Sequence, residues 1–509
     1  MNLSENTGFY RDQYDVIVIG GALAGLTASI LLAEAGKSVL VLEQHNLPGG
    51  IATSFVRGGV EIEAALHEMM EIGAPGERRT IGKLLEDHGV FVDWLPVPDA
   101  YRLSIPGLEK TFHPGFERFA SEIEEECPGS KEKVLEFFEF CRECSESATT
   151  LQEEMKSTLH ILRHHFPFVR TLGYSASEVM DAFKLPERAK EILSPYWIYV
   201  GAPLSDLPFT VYAVVINEYI GHGAYIPAHT SHELSLKLAE RAEALGVQIE
   251  YRQRVEKILV TDGKVRGVRT ERGDEIHSDT VLSGAYPNRV YASMIEPASE
   301  VPVKALKMVN SRHMSLSAFS VIMILDAPKE ALNLQDYCYF SASTMDSDYL
   351  YGEMKELRGE RFTASICMNA ANPEATPEGC CSFSITMMPR PEAWMQVAPA
   401  DYDRVRHELA GELIDRLSRE LGVPLREHIL EIVIETPATF AHYVGTHLGC
   451  VYGYTHTMRD HTVARTLDPE GEHFIDGLYF TGAHGAGGDG MAPVIGNGRN
   501  AAKEILGKR

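Results

Sequence analysis

The chain has 509 residues, 44% of them hydrophobic, with 47 Lys and Arg against 72 Asp and Glu. A formal charge of −25 argues against nucleic acid as a partner and favours solubility. No apolar run approaches the roughly 20 residues needed to span a bilayer. Met1 to Gln13 is polar, without the apolar core of a signal peptide, so a cytoplasmic protein is expected. Eight scattered cysteines do not form a disulfide framework. Cys141-x-x-Cys144 lies in a charged helical stretch without a second such pair, which reads as reduced cysteines; no metal site is expected.

In chain order, the first unit runs from Tyr14 to Gly50. Val16 to Ile19 is a short β-branched run, the pattern of a strand buried on both faces. Gly20, Gly21 and Gly25 mark a turn, Leu26 to Ala35 an apolar helix that stops at Gly36, and Val39 to Leu42 a second strand ending at Glu43. A glycine turn lets backbone N–H groups approach a pyrophosphate at a helix N-terminus, and the acid about twenty residues on accepts hydrogen bonds from a ribose diol. The unit therefore predicts a dinucleotide site. Ala22 stands where the usual G-x-G-x-x-G has its central glycine, and its methyl crowds the pyrophosphate slightly. Pro48-Gly49-Gly50 and Ile51-Ala52 follow the second strand.

Residues from about 86 to 224 read as helical and amphipathic. Residues 230 to 287 predict a helix from His232 to Leu245, then strands at Gln248–Tyr251, Val255–Thr261, Val265–Thr270 and Thr280–Leu282, with Asp262-Gly263 as a hairpin turn. Further strand-like runs occur between 300 and 459, with a helix from Arg404 to Leu421. The end of the chain reads as a strand (Leu478 to Thr481), a glycine-rich loop and a helix from about Pro493. Its N-terminus could grip the far end of a cofactor, placing N–H donors beside the N1–C2=O edge of a flavin.

The segments from Tyr14 to His67 and from Gly477 to Leu506, with Leu245 to Pro287 between them, resemble the flavoprotein family of phytoene desaturases, carotenoid cis–trans isomerases and retinol saturases, within the amine-oxidase-like group. The resemblance implies FAD. It places Glu43 on the adenosine ribose, Gly49 and Gly50 near the flavin, Val255 at the adenine, and Gly482, Gly490 and Met491 along the ribityl chain and ring. The full cofactor set it implies here adds Gly20, Ala22, Leu23, Ala24, Gly25, Gln44, Ile51, Ala52 and Asp489. Ala22 and Ala24 stand where members commonly keep glycine, and Asp489 interrupts the terminal glycine loop. The fold expected is α/β: a discontinuous Rossmann-type FAD-binding domain (14–85, 225–300 and 460–509) with an interleaved α+β substrate domain (86–224 and 301–459, the first part helical). The substrate cavity should lie between them.

Tyr196, Trp197 and Tyr199 resemble a segment lining the family's cavity, although core packing would explain them equally. His67 matches a histidine of the retinol-saturase branch and is the candidate catalytic residue, as proton donor, proton acceptor or orienting group. Glu63 and Asp489 are the other ionisable candidates, and a buried structural role for His67 is the competing reading. His222, His229 and His232 lack a metal-binding spacing. Ile161 to Tyr174 mixes Arg163, His164, His165 and Arg170 with Phe166 and Phe168, and reads either as a surface helix ending at Pro167 or as a peripheral membrane contact. The expected function is oxidation or saturation of carbon–carbon bonds in an isoprenoid- or polyene-like substrate, by hydride transfer to or from flavin N5. Without a second glycine-rich βαβ unit for a nicotinamide, the electron acceptor would be a quinone, oxygen or a redox protein. The alternatives are a cis–trans isomerase using reduced FAD, an amine oxidase, which Ile51 disfavours because those enzymes usually carry Arg or Lys there, and a lipid-binding escort without catalysis.

Overall fold

The computed structural model describes residues 10–153, 164–357, 362–461, 465, 473–485 and 487–507. A parallel five-stranded sheet is assembled from three distant parts of the chain. Its strands are β1 (Val16–Ile19), β2 (Val39–Leu42), β3 (Gln248–Glu250), β4 (Val281–Ser283) and β5 (Leu478–Phe480), ordered β5-β4-β1-β2-β3. All eight residues of β1 and β2 are buried, because helices and a second sheet cover both faces. Helix α1 (Leu23–Glu34) makes the crossover between β1 and β2. Val255–Thr261 and Lys264–Thr270 form the expected hairpin of a four-stranded antiparallel-rich sheet. Asp262 and Gly263 at its tip both take positive φ, as a two-residue hairpin turn requires.

A seven-stranded sheet forms the opposite wall of the molecule. The strand Phe319–Leu325, second from one edge, is buried throughout and alternates between two environments. Phe319, Val321, Met323 and Leu325 pack against Leu409, Leu413 and Leu417 of the helix Tyr402–Leu421. Ser320, Ile322 and Ile324 point the other way, and Ser320 stands opposite Thr386 in the pairing register. The two-residue period thus delivers a pair of hydroxyls to the sheet's inner face.

The stretch read as wholly helical, 86–224, departs from that expectation. Tyr101–Ile105 and Leu108–Phe112 form a hairpin that completes the seven-stranded sheet at its edge. Their alternating pattern and the Pro106-Gly107 turn carry the signal, which the long helices Phe116–Glu126 and Lys131–Glu153 outweigh in composition. Cys141 and Cys144 lie buried in the second of these helices as free thiols. None of the described helices is long and apolar enough to cross a membrane.

Glu435 ends the strand Ile429–Glu435 beside Ser320, with one carboxyl oxygen unbonded. Burial first, and the neighbouring Glu63 carboxyl second, push its pKa up to about 8. The unfolded chain releases this proton in the ordinary carboxylate range and the folded chain only near 8, so folding stability should fall as pH rises between the two and level off above. This one group contributes a slope approaching about 1.4 kcal/mol per pH unit. Urea midpoints measured at pH 5, 6.5 and 8 should therefore decline less steeply in Glu435→Gln than in the parent. Parallel declines would assign the slope to other groups.

Candidate functional site

A cavity of about 740 Å³ runs from the C-terminal ends of β1 and β2 to the inner face of the seven-stranded sheet. All sixteen residues expected at the cofactor line it: Gly20, Ala22, Leu23, Ala24, Gly25, Glu43, Gln44, Gly49, Gly50, Ile51, Ala52, Val255, Gly482, Asp489, Gly490 and Met491. Their arrangement follows from local chemistry. Gly20 takes a φ of +98°, and a Cβ on Gly25 would come within 2.3 Å of the Gly20 carbonyl oxygen, so the turn closes only with glycine at both positions. α1 begins immediately after Ala22 without a side-chain cap, leaving first-turn N–H groups available at the cavity wall. Gly49 N–H donates to the Gly21 carbonyl at 2.9 Å, zipping the second glycine turn to the first. The methyl of Ala22 is directed at this contact, since a Cβ on Gly50 would lie 3.1 Å from it.

Glu43, 5% exposed, accepts from Gly21 N–H at 2.7 Å and His45 N–H at 2.8 Å. Each oxygen keeps a further acceptor direction for a ribose hydroxyl. Arg254 and Arg289, which sequence reasoning missed, bring two guanidiniums to the same end of the cavity. Burial, and then the charge of Arg254, disfavour the charged form of Arg289. Neither arginine has a carboxylate partner among the described residues. Two like charges beside an uncapped helix N-terminus fit a polyanion such as a pyrophosphate.

The C-terminal loop is held from below. Asn497, 5% exposed on the helix Met491–Ile505, accepts from Gly487 N–H at 2.7 Å and donates to the carbonyls of Gly482 and Gly488. A Cβ on Gly487 would lie 2.3 Å from its side-chain oxygen, so the loop's glycines make room for this clamp. The sequence signal was the Gly496-Asn497-Gly498 triplet inside a helix. That helix starts at Met491, two residues before the expected Pro493, and also lacks a side-chain cap. Asp489 is buried beside His456, with 3.8 Å between Oδ2 and Nε2. Burial drives the aspartate pKa well up and the histidine pKa well down, so each is pushed toward its neutral form.

On the substrate side the structure separates the expected aromatic residues. Tyr199 lines the cavity, whereas Tyr196 and Trp197 lie behind it in the core. Tyr196 stacks on Tyr219 and donates to the Ala100 carbonyl, and Trp197 packs against Tyr351 and Phe362. In the 3₁₀ turn Pro195–Tyr199, Trp197 projects from a different face, while Tyr196, on the same face as Tyr199, is covered by Tyr199 and Tyr219. Glu63 is also structural: it accepts from Ser231 N–H and Oγ and from Ala65 and Leu66 N–H, tying two elements together outside the cavity. His67 lines the cavity, with Nε2 3.3 Å from Thr386 Oγ1 and its ring edge-on to Tyr199. Burial lowers its pKa to about 4.

Arg163 lies outside the described residues. The helix in the basic-aromatic stretch is Phe166–Thr171, so Pro167 opens it rather than ending it, a position where its missing N–H costs nothing. Phe168 is buried and lines the cavity, while Phe166 and Tyr174 face solvent at 59% and 53% exposure.

The glycine turn, the acid at the end of the second strand and the terminal glycine loop define a class of dinucleotide-binding flavoprotein, and comparison with known proteins agrees. Residues 23–506 match the family described as flavin containing amine oxidoreductase, and the chain belongs to it. It is 25% identical to a chloroplastic prolycopene isomerase of Daucus carota, over 98% of this chain and 81% of that protein. It is also 25% identical to an all-trans-retinol 13,14-reductase of Rattus norvegicus, over 92% and 82%. Among solved structures, a putrescine oxidase variant superposes with a TM-score of 0.65 at 13% identity, covering 97% of this chain and 99% of that one. An oxidoreductase from Methanosarcina mazei gives 0.62 at 16% identity, covering 97% and 100%. The protein is an FAD-dependent enzyme with the fold of these flavoenzymes.

Three substitutions at two positions test the cofactor end. Glu43→Arg puts a cation where the ribose acceptor stood and removes a charge-assisted hydrogen-bonding site, at a cost of about 3 kcal/mol or more. The purified variant should be folded by circular dichroism but colourless, and a yellow protein with native flavin absorbance would contradict the assignment. Ala22→Gly should be tolerated. Ala22→Val should weaken FAD binding, because the added methyls must enter either the Gly50 contact or the space beside the helix N-terminus; equal FAD affinity in a titration of apoprotein would show that the turn does not touch the cofactor.

Proposed function

We propose that this enzyme oxidises or saturates carbon–carbon bonds in a hydrophobic, carotenoid- or retinoid-like substrate. The observation that carries the reading is the continuity of one cavity: the wall beyond the cofactor residues is built from Val200, Val211, Val214, Val215, Ala318 and Met388, and continues to Phe168, Val169 and Leu172. An apolar enclosure of this kind admits a long hydrocarbon and excludes water. The names of the isomerase and reductase relatives support the same substrate class. FAD, when bound, supplies hydride acceptance or donation at N5.

The chain's own part is positioning and proton management. His67 is fixed by Thr386 at one nitrogen and by the Tyr337 hydroxyl, which donates to its backbone carbonyl. With its pKa near 4 it is neutral at pH 7, so it acts as a hydrogen-bonding group or proton acceptor rather than as an imidazolium acid. The second reading, a cis–trans isomerase with no net redox change, draws on the isomerase relatives, and anaerobic turnover without consumption of electrons would distinguish it. The electron acceptor we propose is a quinone, oxygen or a redox protein. The exposed Phe166, on a helix whose Phe168 lines the cavity, and the exposed Tyr174 just beyond that helix support substrate entry from a membrane surface.

His67→Ala should retain the yellow FAD spectrum and lose about 10²–10⁴-fold in kcat on a retinoid or carotenoid that the parent converts. His67→Gln keeps a hydrogen bond but cannot shuttle a proton, so near-native turnover in that variant would leave orientation alone. Full activity in the alanine variant, or loss of FAD, would make His67 a structural residue.

A further inference from the structure

Beyond His67, one wall of the cavity carries polar groups that the fold leaves unanswered. It forms where the helix Phe209–Val215 passes into a π-helical turn, Ile216–His222. Such turns re-aim a side chain and occur mostly at functional sites. Here the turn brings Tyr219 to the cavity, its ring stacked on Tyr196 at 4.9 Å and edge-on to Tyr199 at 5.5 Å. Among the described residues its hydroxyl carries no hydrogen bond. Next to it, Glu68 is 7% exposed and both of its carboxyl oxygens lack a hydrogen bond, as do the Tyr199 hydroxyl and Thr210 Oγ1. All four residues line the cavity.

An unsatisfied buried polar group is destabilising, and native proteins keep few of them without a use. Tyr199 is near enough to Glu68 to favour its charged form, without a well-directed hydrogen bond between them. Burial outweighs that influence and drives the carboxyl well above its ordinary range, with Asp99 adding to the shift. Glu68 is thus pushed toward its protonated form, which donates as well as accepts. Unbonded hydroxyls beside a carboxyl pushed toward its neutral form, set in an apolar wall, match a neutral oxygen function.

We propose that this wall is a recognition point at which Tyr219, backed by Glu68 and Tyr199, receives one neutral oxygen function, a hydroxyl or carbonyl, on an otherwise hydrocarbon substrate. The proposal rests on the hydrophobic-substrate reading above and narrows it to an oxygenated lipid. Glu68 and Tyr219 are then specificity-determining residues.

The test uses the full-length FAD-loaded protein and three probes with one carbon skeleton: farnesol, farnesylamine and farnesene. Binding is followed by perturbation of the flavin absorbance. Farnesol should bind about 10-fold or more tightly than farnesene. Tyr219→Phe and Glu68→Leu should each cut that ratio by about 5- to 10-fold without weakening farnesene, whereas Glu68→Gln, which still donates and accepts, should preserve it. If Glu68→Leu fails to retain FAD, Tyr219→Phe decides. Equal affinity for alcohol and hydrocarbon in the parent, an unchanged ratio in Tyr219→Phe, or preference for the amine would overturn the recognition point while leaving the hydrophobic-substrate reading in place. Binding of none of the three probes would remove that reading and this proposal together.

Discussion

The close approach of two helices from opposite ends of the chain is the constraint on which the site depends. α1 and the helix Met491–Ile505 pack so tightly that a Cβ on Gly498 would stand 2.3 Å from the Ala24 carbonyl oxygen and 3.0 Å from Thr27 Cβ. Only glycine allows that distance. Both helices begin without a side-chain cap, and both first turns line one cavity. Their unsatisfied N–H groups and dipoles converge on an elongated anionic cofactor, which is what a site gripped at two ends requires. The remaining architecture serves this meeting. β5 pairs with β4 and β4 with β1, so the sheet register sets the terminal loop beside the first glycine turn.

Legibility in the sequence followed the reach of each interaction. The first βαβ unit could be read because its determinants lie within about thirty residues and each imposes its own composition: a buried β-branched strand, a glycine turn, an acid at the next strand end. The hairpin Tyr101–Phe112 was hidden because its pairing partner, Cys338–Ser341, lies more than two hundred residues away and short strands carry little periodic signal against long neighbouring helices. Tyr199 and Tyr196 were indistinguishable for a related reason. Both are aromatic residues in one apolar run, and only the tertiary packing of Tyr219 and Phe340 decides which reaches the cavity. Arg254 and Asn497 were missed because a charged residue at the start of a strand and a polar residue within a helix ordinarily face solvent. Here the first lines the cavity and the second clamps a loop.

The electrostatics divide the molecule into two regimes. Its surface carries the excess of acids behind a formal charge of −25, many of them in exposed ion pairs worth little individually. Within and around the cavity, burial pushes six groups toward their neutral forms. Glu68, Asp489 and Glu435 are held above the ordinary carboxylate range, and His67, His456 and His484 below the ordinary imidazole range. The common cause is desolvation, which charges the same penalty to either sign.

A cavity wall whose acids and imidazoles are pushed toward their neutral forms, with tyrosine hydroxyls among them, suits an uncharged substrate. It offers hydrogen bonds without the field of a fixed charge, so an apolar molecule enters without having to displace a tightly hydrated ion. At the cofactor end the balance differs. There Arg254, Arg289 and two helix N-termini concentrate positive potential where the pyrophosphate of FAD belongs. The single cavity therefore sorts its occupants by charge along its length. One end carries fixed positive charge suited to a dianionic cofactor, and the other is an apolar wall with a few unpaired hydroxyls, the surroundings that the proposed hydrophobic substrate requires.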